Sequence, residues 1–140
     1  MLAIVKSSVS DKTSINILPC RINHNGPTKV TKRYWQPRTE ADNTRTAHFR
    51  GPRLRGRAVR IPEKYQGFVL KATDKTIIEP LMPTEEDEEP ELPQPVKAVE
   101  EVAVFDEMVV WGHDQVPASD DSLVKGVEEW IAFAEAIHRR

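Results

Sequence analysis

The segment Val99–His113 constrains the fold more than any other part of this sequence, because as a strand it is apolar on both faces. Successive side chains of a strand point to opposite faces. One face would carry Val102, Val104, Met108 and Val110, and the other Ala103, Phe105, Val109 and Trp111. A strand of this kind must be covered on both faces. The sequence leaves two covers open, a helix of the same chain or a second polypeptide.

Short strand-like segments with glycine and proline between them precede this segment. They lie at residues 15–22, 30–36, 45–50, 54–61 and 67–73, and turn residues such as Gly26-Pro27 and Gly51-Pro52 separate them. Short strands separated by glycine and proline favour a barrel or a sandwich over a helical bundle. We therefore predict a mainly β fold.

The C-terminus predicts an α-helix, because apolar residues recur there at helical spacing. Asp121 or Ser122 would cap the start of the helix. Gly126 is a poor interior residue and allows a start near Val127 instead. The predicted apolar stripe consists of Leu123, Val127, Trp130, Ile131, Ala134 and Ile137.

The length of 140 residues suits one domain. We expect a loose N-terminal arm over residues 1–13 and the main β-barrel part over residues 14–78. Residues 79–97 hold five prolines around Glu85-Glu86-Asp87-Glu88-Glu89 and bury too little apolar surface to offset their ordering entropy. They predict a disordered acidic loop, after which the strand and helix of residues 98–140 complete the same domain.

The net charge of −2 hides a strong asymmetry between the two parts of the chain. Residues 1–72 hold 15 basic and 4 acidic residues, whereas residues 73–140 hold 5 basic and 18 acidic residues. Two parts of opposite charge either neutralise each other or serve different partners. The single cysteine, Cys20, fits a reducing compartment. With no signal-peptide core and no long apolar run, the sequence predicts a soluble intracellular protein without membrane contact.

No set of residues at catalytic or metal-binding spacing occurs in the sequence. The four histidines are scattered, one cysteine cannot complete a zinc site, and phosphate-binding and nucleophile motifs are absent. We therefore predict that this chain is not an enzyme and holds no cofactor and no metal.

The arginine-rich segment HFRGPRLRGRAVRIP, residues 48–62, is the strongest remaining functional signal. Arg53, Arg55 and Arg57 would share one face of a strand, because alternate residues point the same way. Val59 would lie on that same face, but it is apolar. This change of character along one face predicts a bulge or a bend at Gly56. Three interpretations remain open: a protein interface built on guanidinium–carboxylate pairs, a solvated strand face, or a nucleic-acid site.

A set of short strings occurs in order from Leu18 to His138. They are Leu18-Pro19-Cys20, Asn25-Gly26-Pro27, Tyr34-Trp35-Gln36-Pro37, Phe49-Arg50-Gly51, Leu54-Arg55-Gly56, Gly67-Phe68-Val69-Leu70, Phe105 to Gly112, Pro117, Gly126, Trp130 and Ala136-Ile137-His138. Together these strings resemble the non-catalytic C subunits of eukaryotic type 2 ribonuclease H (ribonuclease H2). The family's arginine-rich string often reads F-R-G-R-x-L-R-G, and here Pro52 follows Gly51.

The resemblance implies a non-catalytic member of a nuclear heterotrimer that acts in DNA replication and repair. Its strands would contribute to an interlaced triple β-barrel shared with the second non-catalytic (B) subunit, and the pair would dock the catalytic (A) subunit. The catalytic subunit would hold the magnesium, cleave RNA in RNA–DNA hybrids and remove ribonucleotides embedded in DNA. The resemblance and the arginine pattern together predict the partner-interface residues Phe49, Arg50, Arg53, Leu54, Arg55, Trp111 and Trp130. The alternative is a stand-alone nucleic-acid-binding β-barrel that uses the basic strand Arg50–Arg60.

Overall fold

The computed structural model describes residues 2–7, 11–29, 33–78 and 95–139, which form nine strands and one helix. The prediction of a mainly β chain with a C-terminal helix is confirmed. The residues group into two compact units, Met1–Thr13 with Glu63–Phe105 and Ser14–Pro62 with Asp106–Arg140. In chain order the elements are β1 (Leu2–Val5), β2 (Asp11–Lys12), β3 (Ile15–Ile17), β4 (Arg38–Thr39), β5 (Arg45–His48), β6 (Arg53–Arg60), β7 (Gly67–Ile78), β8 (Pro95–Phe105), β9 (Glu107–His113) and α1 (Ser122–His138).

The first unit is a four-stranded sheet in which every pairing involves β8. Strands β1 and β2 both run parallel to β8, and the long β7 pairs with it antiparallel. The register between β7 and β8 is interrupted between Val69 and Leu70 and again between Ala72 and Thr76. Among the described residues of this unit, Val96 and Ala98 are the buried apolar side chains. This sheet therefore has almost no core of its own.

The second unit is a five-stranded sheet in the order β3-β9-β6-β5-β4, with a hydrophobic cluster on each face. Pairing is antiparallel except between β3 and β9. The first cluster contains Ala47, Leu54, Val109 and Trp111, with Leu18, Trp35 and Phe49 packed against it. The second contains Val59, Val110 and Val124, with Ile17, Met108 and Val127 packed against it.

Strand β9 is covered on both faces, as its sequence predicts. Val109 and Trp111 lie in the first cluster, whereas Val110 lies in the second and contacts the helix residue Val124. A helix of the same chain is therefore one of the two covers. The other face is covered by aromatic and aliphatic residues from the same unit, including Trp35.

The helix α1 begins at its predicted aspartate cap. The Asp121 carboxylate accepts hydrogen bonds from the backbone N–H groups of Leu123 at 3.0 Å and Val124 at 3.5 Å. Such a cap satisfies donors that the first helical turn leaves open. Gly126 is an interior helical residue with open space around it, so the alternative start near Val127 is wrong.

The chain differs from the sequence-based expectations at its N-terminus. Leu2–Val5 and Asp11–Lys12 are strands rather than a loose arm, because their backbone pairs with β8 about ninety residues later in the chain. That the two compact units complete one domain stays a prediction. Strand pairing at this sequence separation leaves no local signature, so periodicity alone missed it.

Three further segment predictions had different outcomes. Residues 33–36 are not a strand, and residues 30–32 of that predicted strand lie outside the described part of the chain. The predicted disordered loop over 79–97 falls mostly outside it as well, but Pro95 already begins β8. The expected strand Val99–His113 is divided at Asp106, so that β8 belongs to the first unit and β9 to the second.

Candidate functional site

The arginine-rich segment forms one tight hairpin in the second unit. His48 of β5 lies opposite Arg53 of β6, and four residues connect them. Arg50 and Gly51 have positive φ angles of 51° and 102°, a conformation that glycine adopts without cost. The Phe49 N–H donates to the Pro52 carbonyl at 3.0 Å. Proline fits its place because this bond uses its carbonyl oxygen and needs no N–H.

Strand β6 runs without a bulge, so the expected break at Gly56 is wrong. The β6–β9 register is continuous from Leu54 opposite His113 to Arg60 opposite Glu107. A break is unnecessary because both faces of the sheet are covered. Leu54 enters the first hydrophobic cluster and Val59 the second, which includes the helix residue Val124. Arg53, Arg55 and Arg57 alternate with Leu54 and Gly56, and we call their side the arginine face.

The side chains of the arginine face bind groups of their own unit. The Arg57 Nε donates to the Pro117 carbonyl at 2.6 Å, which joins the strand to the segment before α1. The Arg53 Nε lies 3.5 Å from Oδ1 of Asp114, and both side chains are largely exposed. Exposed pairs of this kind contribute little to stability.

Arg55 makes weaker contacts within its own unit. Its Nη2 lies 3.9 Å from Oδ2 of Asp42, and its Nε is buried without a hydrogen-bond partner among the described residues. The carboxylate of Asp42 is chiefly held by Thr44, whose hydroxyl and N–H donate to Oδ1 at 2.6 Å and 3.1 Å. These hydrogen bonds, with a smaller contribution from Arg55, lower the pKa of Asp42 below its ordinary value of 3.8.

Two further arginines meet one carboxylate on the opposite face of the sheet. Glu107 accepts from Nη2 of Arg45 at 3.0 Å, and Nε of Arg60 lies 3.9 Å from its second oxygen. The sequence could not have identified these partners, because Glu107, Asp114 and Pro117 are 47 to 62 residues away from the arginines they meet. Most of the arginine run is therefore engaged within its own unit.

The structure brings some predicted interface residues together and separates others. Phe49, Leu54 and Trp111 belong to one cluster, where Leu54 and Trp111 are buried and Phe49 is half-buried. The Trp111 Nε1 donates to Oδ1 of Asn16 at 3.0 Å. Leu54 and Trp111 therefore pack in the buried cluster and stabilise the hairpin from inside the unit. On its exposed side, the Arg50 guanidinium lies 5.4 Å from the centroid of the Phe49 ring, within the range of cation–π contacts.

Trp130 lies apart from the hairpin cluster, on an exposed apolar face of α1. Its side chain is 72 % exposed. Its ring packs edge-on against that of Phe133, with the two ring centroids 6.1 Å apart. The spacing of seven, three and four residues places four large side chains on one side of the helix. We call them the helix stripe: Leu123, Trp130, Phe133 and Ile137, each at least 49 % exposed.

The prediction of the apolar stripe identified only some of the helix residues that pack against the core. Val124 and Val127 make the packing contacts with the sheet, whereas Leu123, Trp130 and Ile137 are exposed. Amphipathic periodicity identifies an apolar sector but does not say which part of a wide sector meets the core. Here the sector is wide enough to pack along one edge and expose the other.

The sheet of the first unit has a second exposed apolar surface. Leu2 and Ile4 pair with Lys97 and Val99, Leu70 pairs with Glu101 and Ile78 pairs with Pro95. Their partners alternate along β8, so all four side chains project from the same side of the sheet. We call this the sheet patch: Leu2, Ile4, Leu70 and Ile78, which are 45 % to 67 % exposed.

Neither unit offers a metal site or a spanning helix within the part of the chain that the structure describes. In that part, no three side chains of His, Cys, Asp or Glu are grouped to hold a metal ion. Nor does any helix there combine the length and apolar character that crossing a bilayer requires.

Comparisons with known proteins point to one family. Residues 14–137 match the family described as "Ribonuclease H2 non-catalytic subunit (Ylr154p-like)". The chain is 30 % identical to the ribonuclease H2 C subunit of Bos taurus over 133 residues, which cover 89 % of this chain and 80 % of the relative. It is also 30 % identical to the C subunit of Mus musculus over 135 residues, with the same coverage. An uncharacterized protein of Schizosaccharomyces pombe is 26 % identical over 141 residues, which cover 98 % of this chain and 90 % of that protein.

Proposed function

This chain belongs to the family of ribonuclease H2 non-catalytic subunits, and on that basis we propose that it is the structural C subunit of a heterotrimeric type 2 ribonuclease H. In this proposal it pairs with the B subunit and docks the catalytic subunit. The catalytic subunit supplies the magnesium and cleaves RNA in RNA–DNA hybrids or at ribonucleotides embedded in DNA. The complex acts in the nucleus, in DNA replication and repair.

One observation carries the proposal: the first unit exposes more large apolar side chains than it buries. Its described residues bury Val96 and Ala98, while the whole sheet patch is exposed. A sheet needs a covered hydrophobic face for stability. The missing cover is best supplied by strands of the B subunit, whose addition would close the sheet into the shared triple β-barrel.

The helix stripe supports a second contact. Contiguous exposed apolar patches mark protein interaction sites, and tryptophan is frequent among residues that dominate binding energy. The stripe belongs to the second unit and the sheet patch to the first. We therefore assign the stripe and the exposed side of the arginine hairpin to the catalytic subunit, and the sheet patch to the B subunit.

The alternative of a stand-alone barrel that binds nucleic acid through Arg50–Arg60 has less support. Arg57 and Arg60 each contact an oxygen atom of their own unit. Phosphate contacts would have to compete with these partners.

The test is co-expression of this chain with candidate catalytic and B subunits, followed by size-exclusion chromatography and an assay on a DNA duplex that carries one ribonucleotide. We expect a complex with one copy of each chain, and cleavage that is lost when this chain is omitted. The chain purified alone should lack a cooperative thermal transition. A compact monomer with a cooperative transition, or full activity of the other two subunits without this chain, would contradict the proposal.

A further inference from the structure

A basic cleft lies at the β4 edge of the second unit, where it adjoins the arginine hairpin. Its volume is about 520 Å³, within the roughly 300–1,000 Å³ typical of ligand-binding clefts. Arg33, Tyr34, Arg38, Glu40, His48 and Arg53 are among the residues that line it. Only Arg53 of this set belongs to the predicted interface residues.

The strand register explains why these side chains meet. Arg38 of β4 lies opposite Thr46 of β5, and His48 lies opposite Arg53 of β6. Because Thr46 and His48 are two residues apart on one strand, all four side chains project from the same face of the sheet. Part of the cleft is therefore formed by side chains from three neighbouring strands.

The charges of the cleft are unbalanced. Three arginines line it, against one carboxylate, Glu40, which accepts a hydrogen bond from the Thr46 hydroxyl at 2.7 Å. Arg53 has only its exposed contact with Asp114, and Arg38 has no hydrogen-bond or ion-pair partner among the residues that the structure describes. An excess of guanidinium groups in a concave site favours an anionic ligand, such as a carboxylate or a phosphate group, two of whose oxygens can accept hydrogen bonds from one guanidinium.

An aromatic side chain beside the arginines narrows the class of ligand. Tyr34 is 67 % exposed, and the Arg33 guanidinium lies 5.8 Å from its ring centroid. Proteins that bind single-stranded nucleic acid combine a positive groove, which holds the backbone, with exposed aromatic rings on which bases stack. An acidic peptide would use the arginines but has no base to stack on Tyr34.

We propose that this cleft binds the phosphodiester backbone of nucleic acid, with Arg38 and Arg53 on phosphate oxygens and Tyr34 as a stacking surface. The proposal deepens the proposed function and rests on it for the identity of the strand, which is a single strand or one strand of an RNA–DNA hybrid. The cleft would then extend substrate contacts beyond the catalytic subunit.

The test measures fluorescence anisotropy of labelled single-stranded RNA and of the matching RNA–DNA hybrid, with this chain paired with the B subunit and with the full assembled complex. Arg38→Glu is compared with Arg21→Glu, which makes the same charge change at an exposed residue outside the cleft. Arg38→Glu should weaken binding about tenfold, and Arg38→Gln should lower the log–log salt slope by about 0.7–0.9, the value for one phosphate contact. Tyr34→Ala should weaken binding of the single strand more than that of the hybrid.

Equal effects of Arg38→Glu and Arg21→Glu would overturn the proposal, because binding would then depend on overall charge. It would also be overturned if an oligoglutamate peptide of equal charge bound as tightly as the oligonucleotide. Assembly is followed separately by size-exclusion chromatography. Loss of assembly with intact cleft binding would therefore contradict the proposed subunit role, while intact assembly without cleft binding would contradict only this inference.

Discussion

Gly56 lies directly opposite Trp111 in the β6–β9 pair, and a Cβ atom at position 56 would lie 2.9 Å from Cε3 of the Trp111 ring. The same atom would lie 2.7 Å from Cγ1 of Val109. Carbon atoms in good contact are about 3.5–4.0 Å apart, so the indole ring occupies the space that any other residue at position 56 would need. The glycine of the Leu54-Arg55-Gly56 string is thus explained by packing within the chain.

Gly56→Ala should destabilise the second unit by roughly 1–3 kcal/mol, the usual cost of overpacking a filled core. Hydrogen–deuterium exchange of the assembled complex should show faster exchange of β6 and β9 amides. Gly126→Ala is the matched control, because an added methyl group there meets open space. Unchanged exchange in the Gly56→Ala variant would show that the indole moves aside easily.

Thr44→Val should raise the pKa of Asp42 toward 3.8, because the largest cause of its lowered pKa is the Thr44 hydroxyl. A lowered pKa means that the contribution to stability is present above the ordinary pKa and is lost as the pH falls through the folded value. An NMR titration of the Asp42 carboxyl carbon measures the shift. Arg55→Gln should raise the pKa less, since the charge of Arg55 is a smaller cause. The reverse order of the two shifts would contradict this account.

Trp130→Ser should leave the chain folded but weaken assembly with the catalytic subunit by about 2 kcal/mol, as expected for an aromatic residue that dominates an interface. Titration calorimetry of the catalytic subunit with the purified pair of this chain and the B subunit measures the effect. Ala132→Ser, at an exposed position off the helix stripe, serves as the control. Val124→Ala should instead lower the stability of the second unit by about 2 kcal/mol, because that side chain is buried against the sheet. Normal assembly of the Trp130→Ser variant would show that the helix stripe is not part of the interface.

Ile4→Asp should abolish co-purification with the B subunit, because it places a charge in the sheet patch that the proposed barrel would bury. Ile22→Asp makes the same substitution at another exposed isoleucine, in the second unit, and should leave the yield of the complex unchanged. The measurement is the ratio of the two proteins after affinity purification through the B subunit. Equal yields for the two variants would mean that the sheet patch stays exposed in the complex.

Features with a local physical cause could be predicted closely. The aspartate cap of α1, the turn at Gly51-Pro52 and the strands on either side of it depend on turn chemistry, capping and alternation within a few residues. The same holds for the two-faced apolar character of β9. Each of these follows from side chains that are neighbours in the sequence.

Features that depend on distant contacts were missed. The pairing of Leu2–Val5 with β8, the division of the chain into two units and the carboxylate that joins Arg45 to Arg60 all bring together residues that are far apart in the sequence. The basic cleft belongs to this group too, because Arg38 and Arg53 become neighbours only through the order of the strands. The arginine run also looked more available for partners than it is.

The class of the chain follows from its residues alone: mainly β structure, a capped C-terminal helix, no recognisable catalytic set and family strings that mark one subunit of a larger enzyme. Which apolar residues are covered, and which arginines keep their charge exposed, depends on the folded arrangement. The physical reason is that periodicity and composition describe what each segment needs, whereas burial and ion pairing depend on which other segment supplies it. For the sheet patch and the helix stripe no described residue of the chain supplies the cover, and there we propose that partner subunits do.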